Sequence, residues 1–146
     1  MKSKISIGIV ILLVLIQFIP IKRNERLADE SFDISYYYNL PKGSEVSNIL
    51  KTSCYDCHSN NTSSPWYSKI APVSWYLANH VNGGKKKLNF SEWKYLDEAK
   101  REHKIEEVIE IIQDDEMPLT SYTLLHQDAK LTVEEKENLL RFFESL

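Results

Sequence analysis

Glycine, cysteine and methionine are scarce in this chain of 146 residues. Four glycines are too few to favour a glycine-rich phosphate-binding loop. Beyond the N-terminal segment, no run of alternating β-branched residues indicates a strand. The formal net charge of −3 and the pI near 5.8 give no sign of a nucleic-acid partner. These features favour a small all-α domain without nucleotide or nucleic-acid chemistry.

The two cysteines of the chain lie in one five-residue motif, Cys54-Tyr55-Asp56-Cys57-His58. Because Cys54 and Cys57 are one helical turn apart, their thiols can add to the vinyl groups of one haem. The histidine that follows can bind the iron through an imidazole nitrogen. The motif therefore predicts a covalently attached haem c, with His58 as the proximal iron ligand.

Other functions of a closely spaced cysteine pair fit the sequence less well. A zinc site needs two further ligands at a recognisable spacing, whereas His80, His103 and His126 are far apart. A thioredoxin-like redox pair belongs beside a βαβ pattern, which the sequence does not show. A plain disulfide is chemically possible, but it would leave the histidine after the second cysteine unexplained.

The N-terminus carries a long apolar run. Lys2 and Lys4 precede residues Ile5 to Ile21, which would form about 25 Å of helix, near the lower limit for a membrane span. A cleaved signal peptide is the alternative, but no small-x-small cleavage signal follows the run. We predict an uncleaved signal anchor, a single transmembrane helix, over residues 1–22.

The basic residues that flank this run do not settle its orientation. Lys2 and Lys4 on one side are balanced by three basic residues on the other, Lys22, Arg23 and Arg26. Covalent haem attachment of this kind and disulfide formation both belong to an exported compartment. The cysteine motif therefore favours a single-pass membrane protein whose domain lies on the periplasmic or extracytoplasmic side.

Residues 23–43 are predicted to be a linker, and residues 44–146 the haem-binding domain. The linker carries Tyr36, Tyr37 and Tyr38, which either rest at the membrane interface or pack onto the domain. Ser44 is a candidate N-cap for the helix that carries the cysteine motif.

Capping signals predict three further helices in the domain. Pro72 suits the first turn of one helix, and Gly83-Gly84 suits its end. Ser91 can cap the next helix. The last helix begins with the spacing of a capping box, in which Thr132 is the N-cap and Glu135 follows at the third helical position.

Aromatic residues are dense from Trp66 to Tyr76, and their rings could line a haem pocket. Tyr67 and Trp75 are the candidate pocket residues, although an ordinary aromatic core would have the same composition. His80 follows on the same predicted helix. It is either an alternative axial ligand or a histidine that is hydrogen-bonded in the core.

Met117 is the one methionine beyond the first residue, and it precedes Pro118 in a polar stretch. The proline is expected to stop the preceding helix and to stiffen the loop, which would hold the thioether over the haem. Met/His ligation suits electron transfer, so Met117 is the predicted distal ligand, with His80 or an open position as alternatives. A buried methionine that fills a gap in the core is the structural alternative.

Several short sequences together resemble the bacterial haem-binding domain family of small cytochrome-c-like proteins. They are Cys54-Tyr55-Asp56-Cys57-His58-Ser59-Asn60, Pro65-Trp66-Tyr67, Ile70-Ala71-Pro72-Val73-Ser74-Trp75, Leu88-Asn89-Phe90-Ser91-Glu92-Trp93, Met117-Pro118 and Leu125-His126. The resemblance runs from about residue 44 to the end of the chain. It implies covalent haem through Cys54 and Cys57, proximal ligation by His58 and a distal role for Met117, but no particular reaction.

The expected function is that of a membrane-anchored monohaem electron carrier, with a redox protein as partner and no substrate chemistry at the iron. A haem-based sensor or an accessory subunit of a membrane complex is the alternative. A peroxidase is not favoured, because no distal acid–base set is evident. The sixth iron position separates these functions, since a bound methionine favours electron transfer and an open position favours sensing or catalysis.

Overall fold

A computed structural model describes residues 2–21 and 29–146 of the chain, with side chains from residue 6 onward. In these ranges the α-helices are α1 Lys2–Leu15, α2 Ile34–Tyr37, α3 Glu45–Ile49, α4 Tyr55–His58, α5 Val73–Lys87, α6 Glu98–Gln113, α7 Thr120–Thr123 and α8 Val133–Glu144. Short 3-10 segments lie at Ile16–Phe18, Glu30–Phe32, Trp66–Lys69, Phe90–Tyr95 and Gln127–Ala129. No strand occurs in the described ranges, and the prediction of an all-α fold is confirmed.

The N-terminal helix α1 is apolar and exposed. Its large aliphatic side chains from Ile7 to Leu15 are each about half exposed. Among the described residues, no helix is both long enough and apolar enough to cross a membrane. Residue 22, the predicted end of the anchor, and the start of the predicted linker up to residue 28 lie outside the described residues.

Residues ahead of position 44, the predicted start of the domain, also pack onto it. Ile34 is fully buried, and the hydroxyl of Tyr55 donates a 2.5 Å hydrogen bond to the carboxylate of Asp33. Of the consecutive tyrosines, Tyr38 packs against the core, whereas Tyr36 is exposed. The described part of the predicted linker is therefore a packed segment, and at least one of its tyrosines contacts the domain.

The core lies where α3, α6 and α8 meet the 3-10 segment Phe90–Tyr95. Its buried members are Ile34, Ile49, Leu50, Tyr55, Phe90, Trp93, Ile112, Leu139 and Phe143. The helix α8 begins with the predicted capping box, because Thr132 and Glu135 form both reciprocal hydrogen bonds. The apolar side of α8 packs against α3 and α6, which closes the core from the C-terminal end of the chain.

The prediction that α5 ends at the two glycines is wrong, because the helix continues to Lys87. Gly84 lies where α5 packs against α4, and a Cβ atom at this position would be 2.5 Å from the backbone oxygen of Cys57. A Cβ atom at Gly83 would meet no atom within 4 Å. The sequence signal for a helix end therefore marks, at Gly84, a close approach between two helices.

The prediction that Ser91 caps the following helix is also wrong. The side chain of Asn89 accepts a hydrogen bond from the Ser91 N–H and caps the 3-10 segment Phe90–Tyr95. The helix α6 begins later, at Glu98, where Asp97 is the N-cap. This arrangement buries Trp93 completely in the core ahead of α6.

Candidate functional site

The cysteine motif lies at the end of a helical stretch that runs from Glu45 to His58. Ser44 caps this stretch, as predicted, by accepting a backbone hydrogen bond in the first turn. Residues Leu50–Cys54 form a π-helical turn between α3 and α4. Such turns inside helices are frequent at functional sites. Here the turn ends at Cys54, and α4 then carries Cys57 and His58 against α5.

A cleft of 340 Å³ lies between α4, α5 and the segment that precedes α7. Its walls carry Cys57 and His58 from the motif, together with Met117 and His80, the two candidates for the distal ligand. The other lining residues are Ser53, Asn79, Gly83, Gly84, Lys87, Pro118, Leu119 and Tyr122. An imidazole nitrogen and a thioether sulfur in one cleft form the donor set of Met/His-ligated haem iron, so the residues present fit a haem.

The ring of His58 is oriented by the backbone that follows α5. Its Nδ1 atom lies 3.1 Å from the carbonyl oxygen of Leu88. Because a carbonyl can only accept, Nδ1 carries the proton and Nε2 is the nitrogen that can bind a metal. Burial lowers the pKa of His58, while the carbonyls of Leu88 and Gly84 act in the opposite direction. The ring is therefore neutral at pH 7, which is the form that ligates iron.

The two cysteines are free thiols rather than a disulfide. Cys57 lines the cleft, whereas Cys54 packs against the edge of the core, one turn earlier, and is not a lining residue. Burial, together with the neighbouring Cys57, raises the pKa of Cys54 to about 12. Burial and the charge of Asp56 raise the pKa of Cys57. Reactive redox cysteines have lowered pKa values, so this environment does not suit a thioredoxin-like pair.

Asp56, inside the motif, ties three segments together. Its carboxylate accepts hydrogen bonds from the Ser63 N–H at 2.9 Å and from the Ser63 hydroxyl at 2.6 Å. It also accepts a 2.8 Å hydrogen bond from the hydroxyl of Tyr122 on α7. Both the loop after the motif and α7 are thereby fixed relative to α4. Local spacing does not predict these contacts, because Tyr122 is 66 residues away in sequence.

Met117 lies between α6 and α7 and is half-buried at the cleft. The prediction that Pro118 stops the preceding helix is wrong, because α6 already ends at Gln113. The N–H groups of Asp115 and Glu116 donate to carbonyls of the last turn, and Asp115 has a φ of 56°. This is a Schellman motif, which ends the helix and turns the chain towards the cleft.

The predicted aromatic pocket forms only in part. Tyr67 lines a second cleft, of 190 Å³, where its hydroxyl lies 2.6 Å from Nε2 of His126. Trp75 is half-buried and lines neither of these two clefts. The two clefts adjoin each other, because both are lined by Cys57, His80 and Tyr122. Position on an aromatic-rich helix was therefore not enough to place Trp75 at the site.

His80 reaches the cleft from the exposed side of α5. Its Nδ1 atom lies 3.1 Å from the carbonyl oxygen of Tyr76, and the two rings are 4.2 Å apart. As at His58, a protonated Nδ1 leaves Nε2 as the nitrogen that can bind a metal. His80 is thus placed beside the site rather than in the core.

A comparison with protein families gives a match to the haem-binding domain over residues 11–145. The chain belongs to the haem-binding domain family. Haem is therefore the cofactor of this protein, and the matched range contains the cysteine motif and every residue that lines the cleft. No significant match was found among curated proteins or among solved structures. Beyond haem binding, the function of this domain is therefore inferred from its geometry.

Proposed function

We propose that this protein is a c-type monohaem electron carrier, anchored in the membrane by its N-terminal apolar segment, with the domain on the periplasmic side. The observation that carries the proposal is the presence of His58 and Met117 in the walls of one cleft. Haem bound there would supply one-electron redox chemistry. The chain would contribute the attachment, the two axial ligands and the surroundings that set the potential.

The attachment would use both cysteines of the motif. Cys57 already lines the cleft, whereas Cys54 lies one turn earlier and packs against the core. His58 would bind the iron through Nε2, because Leu88 holds the proton on Nδ1. This proximal side resembles other ligated histidines, whose second nitrogen donates to a carbonyl or carboxylate.

Met117 would be the second protein ligand of the iron. A thioether stabilises reduced iron and leaves no open position for a substrate, which suits electron transfer. The three residues before Met117, Asp114 to Glu116, are acidic and exposed, whereas Met117 itself is half-buried at the cleft. This contrast supports a ligand more than a residue that merely fills a gap in the core.

Membrane anchoring is supported by the apolar surface of α1. Its large side chains from Ile7 to Leu15 remain about half exposed to solvent, a cost that contact with lipid would remove. Covalent haem attachment belongs outside the cytoplasm, which agrees with an exported domain. The redox partner would be a second protein on the same side of the membrane.

His80 provides a second candidate for the distal ligand, because it lines the same cleft. The test is to compare the absorption spectra of the haem-loaded full chain carrying Met117→Ala, His80→Ala or His103→Ala. His103 is exposed and pairs with Glu107, so its removal controls for the loss of a histidine outside the site. We expect only Met117→Ala to abolish the ferric thioether–iron absorption and to permit carbon monoxide binding.

A spectrum that Met117→Ala leaves unchanged would remove Met117 from the iron. If His80→Ala then loses a bis-histidine spectrum, His58 and His80 are the two ligands, and the electron-transfer proposal stands with this ligand pair. Rapid carbon monoxide binding by the wild-type protein would show an open position and favour the sensor or accessory role instead.

A further inference from the structure

Charge is distributed unevenly along the chain. Residues 57–91 contain four lysines and no aspartate or glutamate, although the whole chain has a net charge of −3. Three of these lysines, Lys69, Lys86 and Lys87, are exposed. The segment that forms the loop after the motif, the 3-10 turn Trp66–Lys69 and the helix α5 is therefore the basic part of an acidic protein.

The same segment exposes large apolar side chains. Trp66 is 75% exposed and Tyr76 is 52% exposed, while Ile70 and Val73 are each just under half exposed. We name these four residues the aromatic face. Val73 and Tyr76 are three residues apart on α5, so they share one side of the helix, opposite to the buried Ser74 and Ala78. A cluster of exposed apolar residues that includes Trp and Tyr requires an explanation.

The aromatic face is joined to the N-terminal apolar helix. The side-chain amide of Gln17 pairs with the backbone of Ala71: Nε2 lies 3.1 Å from the Ala71 oxygen, and Oε1 accepts from the Ala71 N–H at 2.9 Å. Ala71 is buried and lies between Ile70 and Val73 in sequence. Phe18 and Ile19, next to Gln17, are exposed. The apolar surface of the N-terminal segment therefore continues into the aromatic face.

We propose that the aromatic face lies on the membrane surface, in contact with anionic phospholipid headgroups; this inference rests on the proposed membrane anchor. Trp and Tyr favour the membrane interface, where their rings are amphipathic. Lys69, directly before Ile70, would attract anionic lipids, and the absence of acidic residues from 57 to 91 removes opposing charge from this segment. An acidic protein would match the lysines, but it would not explain the continuity with α1.

This placement has a consequence for the haem cleft. The ring of Tyr76 lies 4.2 Å from the ring of His80, and His80 lines the cleft. The aromatic face therefore adjoins the cleft, and the same side of the domain would be turned to the lipid. A redox partner that receives electrons at this edge would itself be embedded in, or bound to, the membrane.

The test uses the haem-loaded full chain with a single added cysteine, either Ile70→Cys on the aromatic face or Val133→Cys on α8. Val133 is 78% exposed, and α8 packs on α3 and α6 rather than on α5. The protein is reconstituted into vesicles of phosphatidylcholine with phosphatidylglycerol, or of phosphatidylcholine alone. The rate of labelling by a water-soluble maleimide is compared with that in detergent, with wild-type protein as background, and flotation shows whether the protein stays with the vesicles.

We expect the protein to float with the vesicles and labelling of Ile70→Cys to slow about tenfold in the anionic vesicles, because an interfacial side chain is withdrawn from water. Labelling of Val133→Cys should change less than about twofold, and the protection should be weaker in phosphatidylcholine alone. Flotation with equal labelling of both variants would overturn the aromatic-face proposal and retain the anchor. Failure to float would overturn both, and equal protection in the two lipids would overturn the anionic preference.

Discussion

The His58 wall of the cleft is formed by two packed helices, α4 and α5, whereas the Met117 wall is a loop held at its two ends. On the first wall, Gly84 allows α5 to approach the backbone of Cys57, and the Leu88 carbonyl orients the His58 ring. Ser59, directly after the motif, is fully buried and donates a 2.8 Å hydrogen bond to the Tyr55 carbonyl.

The Met117 wall depends on attachments outside the loop itself. Before it, the ammonium of Lys136 donates to the carbonyl of Gln113 at 3.0 Å and to the carboxylate of Asp115 at 2.5 Å. After it, Tyr122 donates to Asp56. Residues 116–119, between these attachments, have no regular secondary structure, so Met117 is positioned less directly than His58.

This difference separates the two parts of a haem site. Covalent attachment and a proximal ligand need a fixed geometry, which helix packing supplies. The sixth position decides between electron transfer and ligand binding, and in the proposed ligation Met117 would supply it from the less constrained wall. Variants that disturb each wall separately test whether the two are independent.

The largest effect is expected where the two helices approach most closely. Gly84→Ala places a methyl group against the Cys57 carbonyl and should lower the free energy of unfolding by about 1–3 kcal/mol, as overpacking does. Gly83→Ala, one residue earlier, adds a methyl group with no protein atom within 4 Å and should raise it by about 0.5–1 kcal/mol through helix propensity. Urea unfolding of the haem-free proteins measures both, because Gly83 also lines the haem cleft, and an equal effect of the two variants would contradict the close packing of α5 on α4.

A smaller effect is expected from loosening the Met117 wall at its second attachment. Tyr122→Phe removes a hydrogen bond to a charged acceptor and should cost about 1.5–2 kcal/mol of stability. Tyr67→Phe, which removes a hydroxyl bonded to the His126 ring rather than to a carboxylate, should cost about 0.5–1.5 kcal/mol and serves as its control. Only Tyr122→Phe should also change the distal-ligand spectrum; a change in both variants would mean that the clefts act as one unit.

The smallest effect is a dependence on pH that belongs to the His58 wall. Burial holds the pKa of His58 below its ordinary value of 6.5, so the unfolded chain binds more protons than the folded one just below that pH. Stability is therefore complete above about pH 6.5 and falls on acidification towards the folded pKa, by at most about 1.4 kcal/mol per pH unit. The lowered pKa belongs to the ring without bound iron, so urea unfolding of the haem-free chain at several pH values measures this dependence. His58→Gln should flatten the dependence; an unchanged slope in that variant would assign it to other groups.

The sequence predicted those features that depend on local spacing. The helical class, the Ser44 cap and the Thr132 capping box follow from neighbouring residues, and all three are present. The presence of His58 and Met117 in one cleft agrees with their predicted roles as ligands, which remain predictions. Each of these inferences needed only a motif or residues within one helical turn.

Features that depend on distant contacts could not be predicted in the same way. Gly84 belongs to a glycine pair that is typical of a helix end. Its structural role is instead to let the backbone of Cys57, on another helix, pack closely against it. Trp75 follows the aromatic pattern of a pocket and yet lies outside both clefts. Asp33 belongs to a segment with the composition of a linker, but its partner Tyr55 fixes it to α4.

Covalent attachment of haem through Cys54 and Cys57 is the central claim, and the most direct measurement is haem retention after denaturation. The full chain is exported in cells able to attach haem, denatured and separated from free haem, and compared with the variant carrying Cys54→Ala and Cys57→Ala. The account predicts that haem stays on the wild-type polypeptide and is lost entirely from the double variant. Complete loss of haem from the denatured wild type would contradict it.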